Sequence, residues 1–132
     1  MLDLELLIRF AGVGLALIAV ANLIVPRMLD YAGNLARVDR MFGQVFRVHA
    51  AYTVVTVAGM AILCLWRPDF FLTDGVGRGV CVFMGLYWGS RFLLQMVYYD
   101  RRVRRQFRAW DVAFGLGFFS LGAGFMTIAF LR

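Results

Sequence analysis

Residues 110–131 read WDVAFGLGFFSLGAGFMTIAFL, 22 positions with a single ionisable side chain, Asp111, next to the start. A hydrocarbon layer ~30 Å thick is crossed by about 20 apolar residues at helical rise. A soluble surface helix of that length would carry a continuous polar stripe, and this one does not. Backbone groups in lipid find no water, so a run of this kind pairs them internally and folds as a helix. The stretch therefore predicts a membrane-crossing helix over about 110–131.

Three further runs repeat the pattern, over about 8–25, 48–66 and 79–99. Pro26 is expected to end the first and Arg67-Pro68-Asp69 the second, while Thr73-Asp74-Gly75 reads as a turn or helix start before the third. The whole chain of 132 residues is 62% hydrophobic, against about 45–50% for a soluble domain. A core this small cannot bury the excess, whereas lipid can. The predicted fold is all-α and integral to a membrane: one four-helix transmembrane bundle covering residues 1–132. Ala19-Val20-Ala21 resembles a signal-peptide cleavage site, but the preceding segment opens with Asp3 and Glu5 against Arg9. A signal peptide opens on a basic region, so an uncleaved helix is expected.

Between the first two runs, Met28, Tyr31, Leu35, Val38, Phe42 and Val45 recur at steps of three and four. Asp30, Asn34, Arg37, Arg40, Gln44 and Arg47 fill the opposite face. This pattern predicts a short amphipathic helix in the headgroup plane, bent or broken at Gly33 and Gly43.

All 14 basic residues are Arg, and the net charge is +6. They flank the apolar runs, so they speak for membrane topology rather than nucleic-acid binding. The connections after runs one and three hold nine: Arg27, Arg37, Arg40, Arg47, Arg101, Arg102, Arg104, Arg105 and Arg108. The other side holds four: Arg9, Arg67, Arg78 and Arg132. Cytoplasmic loops are enriched in basic residues, so the Arg-rich connections are expected inside and both termini outside, in a bacterial inner membrane. The cluster Arg101, Arg102, Arg104, Arg105 and Arg108 is expected to meet anionic lipid headgroups, unless it serves topology alone.

The remaining Arg, Arg91, falls within the third run. A lone cation near a helix centre costs about 2.5–3.5 kcal/mol on insertion scales, so it either snorkels to the headgroups or faces a partner inside the bundle. Trp88, Arg91, Gln95, Tyr98 and Tyr99 share one stripe at helical spacing. His49, Tyr52, Thr53 and Thr56 form another in run two, while Asn22 and Asp111 stand at the same end of runs one and four. All but Trp88 lie in the cytoplasmic half. They predict a polar pocket there or, alternatively, an interhelical hydrogen-bond network that only holds the bundle together. As ligand-contacting residues we expect Arg91, Gln95, Tyr99, Trp88, His49, Tyr52, Thr56, Asn22 and Asp111.

His49 is the only histidine, so a haem held by two histidines of one chain is impossible, and no metal-ligating spacing is present. No cofactor is legible. Cys64 and Cys81 stand equally far from an outer turn centred between Leu72 and Thr73. They read as a possible disulfide or as two small apolar residues. Gly85 and Gly89 form a GxxxG, and Ala113, Gly117, Ser120 and Gly124 a small-residue stripe; both allow close helix packing.

These features fit a non-enzymatic accessory subunit, or a binder of a lipid-like or anionic amphiphile. Alternatives are an oligomeric transporter or channel, and an intramembrane lipid enzyme using His49 as base and Arg91 as anchor. The expected partners are anionic membrane lipids and either further copies of the chain or a larger membrane complex.

Overall fold

The computed structural model describes residues 2–131. Arg132, counted above at the Arg-poor end, lies outside them. Four long helices carry the chain: α1 (Leu2–Met28), α3 (Arg40–Trp66), α4 (Val76–Val97) and α6 (Arg108–Phe130). Two short ones, α2 (Tyr31–Leu35) and α5 (Arg101–Gln106), lie in the Arg-rich connections, and a 3-10 turn, Pro68–Leu72, lies between α3 and α4. The described residues form no strand. Each of the four long helices is long and apolar enough to cross a membrane, which marks a membrane protein.

The helix ends differ from the sequence reading in instructive ways. α1 passes through Pro26 and runs on to Met28. A proline one turn from a helix end removes a single donor, and the next turn still closes through Leu29 N–H to Val25 O at 2.9 Å. The amphipathic stretch 27–47 is not one helix. Asp30 takes the left-handed conformation (φ 51°), and its carboxylate accepts from Gly33 N–H at 3.2 Å to start α2. A second helix then begins at Arg40, so the predicted interfacial element shrinks to five residues and its second half becomes the opening turns of α3. Gly43 is buried within α3 and does not break it. The basic connection after α4 is also helical, because the Asp100 side chain caps α5 by accepting from Arg102 N–H at 2.9 Å.

Antiparallel neighbours pack as α3 on α1, α1 on α6 and α6 on α4. The closest approach joins α4 to α6, where a Cβ on Gly122 would stand 2.9 Å from Gly89 N. The Gly85–Gly89 pair therefore works inside the bundle, against a glycine outside the predicted small-residue stripe. Gly124 of that stripe has nothing within 4 Å of an added Cβ. On the other side, Gly12 of α1 lies against Cys64 and Leu65, and Arg9 donates to Leu65 O at 2.7 Å.

The tightest core lies toward the 3-10 turn. Phe71, inserted from that turn, is fully buried with Ile8, Cys64, Cys81, Phe125 and Ile128. Gly75 adopts φ 77°, which releases the chain from the turn into α4. α3 and α4 pack little on each other directly, since α1 and α6 stand between them in the packing order. The Arg-rich end is more open. Large apolar side chains such as Phe10, Leu17, Leu23, Val55, Phe83 and Leu116 are exposed on the outward faces, a surface suited to lipid.

Candidate functional site

At the Arg-rich end the looser packing leaves a cavity of about 480 Å³. Asn22 and Val25 of α1 form one wall, Tyr31 of α2 another, and Arg91 and Gln95 of α4, with Tyr98 and Tyr99 just past its end, a third. Arg104 of α5 and Trp110, Asp111, Phe114 and Phe118 of α6 close it. The lining is mainly aromatic and apolar with a few polar groups, the usual make-up of a small-molecule site.

Two cations in the wall are treated differently. Arg104 Nε lies 2.9 Å from Asp111 Oδ1, and its Nη1 donates to Met96 O at 3.2 Å. Buried Gln95 donates from Nε2 to the same carboxylate at 2.8 Å and to the Asp111 carbonyl at 2.6 Å. Asp111 thus ties α4, α5 and α6 together. Arg91, one to two turns deeper, shares none of it. Its guanidinium carbon sits 5.3 Å from the Phe118 ring centroid, a cation–π contact. Among the described residues no carboxylate comes within ion-pair distance of Arg91.

One turn further toward the closed end, Trp88 stacks on the same Phe118 with centroids 5.5 Å apart. It is 3% exposed, and its Nε1–H finds no acceptor among the described residues. Tyr31 stands at the mouth, edge-on to Phe46 at 5.3 Å. Burial raises its phenol pKa, the neighbouring Tyr99 phenol adds to this, and the Arg91 charge opposes it.

Of the predicted ligand-contacting residues, the fold brings Asn22, Arg91, Gln95, Tyr99 and Asp111 around one cavity, with Trp88 stacked behind Phe118. It does not bring His49, Tyr52 and Thr56 there. These line a separate cleft of about 440 Å³ between α3 and Tyr87 of α4. α3 and α4 pack little on each other directly, which accounts for the separation. His49 is exposed with Nδ1 2.9 Å from Val45 O, and the Thr53 hydroxyl donates to His49 O at 2.9 Å, so both bond to their own helix. His49 and Arg91 line different concavities, and a base-and-anchor pairing of the two is not assembled.

Arg101, Arg104, Arg105 and Arg108 surround a third concavity of about 290 Å³, from which Arg102 is absent. Cys64 and Cys81 are both buried in the core near the 3-10 turn, where Cys81 Sγ donates to Phe71 O at 3.6 Å.

Tyr31 and the inward turn of Arg104 escaped the sequence reading. The signal for the second was present: Arg104 and Asp111 are seven residues apart, two helical turns, but the helix break at Phe107 lies between them. The chain matches no protein-family model, no curated protein and no solved structure.

Proposed function

We propose that this chain is a non-enzymatic protein of the bacterial inner membrane that binds an anionic amphiphile in the cavity at its Arg-rich end, with that end cytoplasmic and both termini outside. The observation that carries the reading is Arg91. It is a cation set into the wall of an aromatic cavity, while of the wall's two carboxylates Asp111 is engaged by Arg104 and Gln95 and Asp100 caps α5. Leaving such a cation without a counter-charge at this depth is costly. An anionic headgroup beside Arg91, with an apolar tail against Phe114, Phe118 and Trp110, would supply that charge and fill the space. The nine-to-four division of Arg supports the orientation.

The open side between α3 and α4 favours a second reading, an accessory subunit that accepts a helix of another chain there. Native mass spectrometry of the gently extracted protein separates the two. Binding predicts a retained small anionic amphiphile, identified by lipid extraction, on a chain without foreign subunits. Co-purified polypeptides and no retained amphiphile would favour the subunit.

A further inference from the structure

Arg101, Arg104 and Arg105 of α5 and Arg108 at the start of α6 gather around the third concavity from both sides of the break at Phe107. Sidedness alone asks only for a number of arginines near the membrane and does not gather them around one concavity. Like charges gathered this closely repel, yet the lining holds a single carboxylate, Asp111, which pairs with Arg104 and also faces the charge of Arg108. Val112 of α6 lines the same concavity, and below it the Arg108 face of α6 continues as Leu116 and Phe119; the three are 49%, 64% and 57% exposed. The cluster therefore stands at the head of an apolar stripe running down the bundle's outer surface.

We infer that this face is a specific site for a phospholipid whose headgroup carries two phosphates, with its acyl chains lying along Val112, Leu116 and Phe119. Four arginines against the one carboxylate of Asp111 leave a net charge of three in the lining, which matches two phosphodiester charges better than one, and guanidinium forks bind phosphate oxygens in pairs. The stripe is what selects a lipid over a soluble phosphate, which would leave it unused. The site lies outside the Arg91 cavity and does not rest on the reading given for that cavity. Arg104 borders both concavities, but its guanidinium is held by Asp111.

The test is lipid titration of the purified full chain in neutral detergent, read by native mass spectrometry. Diphosphatidylglycerol, phosphatidylglycerol and phosphatidylcholine are compared. Two triple variants of equal charge change are used: R101Q/R105Q/R108Q, and R27Q/R37Q/R40Q as the control. The expected order is diphosphatidylglycerol, then phosphatidylglycerol, then phosphatidylcholine. The first triple should weaken the two-phosphate lipid roughly 100-fold, at the strength of a juxtamembrane basic residue each. The control triple should leave that affinity nearly unchanged. Where the first triple fails to fold by circular dichroism, R105Q and R108Q singly should each weaken it about fivefold. Equal losses in both triples would overturn the site in favour of general basic charge. So would equal binding of all three lipids, and full displacement by equimolar pyrophosphate would replace the lipid with a soluble anion.

Discussion

Asp111 is the residue on which the Arg-rich end depends, because one carboxylate serves Gln95 of α4 and Arg104 of α5 while standing on α6. The Arg104 and Asp111 side chains are 21% and 17% exposed, so the pair is partly shielded from water. Replacing Asp111 with Ala leaves Arg104 without its counter-charge and both it and Gln95 with backbone acceptors alone, the Met96 and residue-111 carbonyls. The expected loss is about 1–3 kcal/mol, below the ~3–5 of a fully buried pair, read as a lower thermal unfolding midpoint in detergent. Asp111→Asn should lose less, since an amide oxygen can still accept from Gln95. Tyr31 gives a pH prediction. Its pKa is raised in the folded protein, so above pH ~10 the unfolded chain releases this proton first and stability falls as pH rises further. The difference between ultraviolet titrations of wild type and Tyr31→Phe should show the Tyr31 phenol ionising above the free value. Arg91 and Gln95 were legible from sequence, because an ionisable or amide side chain inside an apolar run has few places to go. Tyr31 was not, because its place at the cavity mouth depends on the left-handed turn at Asp30, which no periodicity announces.

At the scale of elements, all four membrane-length helices were legible from apolar run length alone, and their ends were not. Pro26 failed to stop α1 because a helix tolerates a missing donor in its last turn, and α3 gained two turns because the amphipathic stretch re-nucleated at Asp39–Arg40. The α4–α6 seam makes a sharper claim. A Cβ on Gly122 would meet Gly89 backbone at 2.9 Å, which no side-chain rotation relieves. Gly122→Ala should therefore part the two helices at a cost of about 1–3 kcal/mol, and Gly122→Leu more. Gly124→Ala, where an added Cβ meets nothing within 4 Å, should be nearly neutral. Unfolding of the three variants in a graded mixture of mild and harsh detergent checks the order. Equal losses at Gly122 and Gly124 would remove this seam from the account.

For the whole molecule, the bundle is closed at the 3-10 turn and open at the Arg-rich end, and that polarity places the cavity. The sequence placed polar groups from four helices at one end. It could not say that α3 packs little on α4 and keeps His49, Tyr52 and Thr56 out of the cavity, because helix-to-helix contact depends on which faces interlock. The proposed orientation has its own check, with Cys64 and Cys81 replaced by Ala. Asp74→Cys should react with an impermeant maleimide in intact cells, and Arg102→Cys only after permeabilisation. The central claim, that Arg91 holds an anionic amphiphile, is tested most directly by the molar ratio of retained amphiphile to protein in wild type, Arg91→Lys and Arg91→Leu, extracted identically and matched for helical content. The account predicts near one per chain in wild type, a reduced ratio in Arg91→Lys, where a point charge replaces a planar fork, and close to none in Arg91→Leu. An unchanged ratio in Arg91→Leu would contradict it.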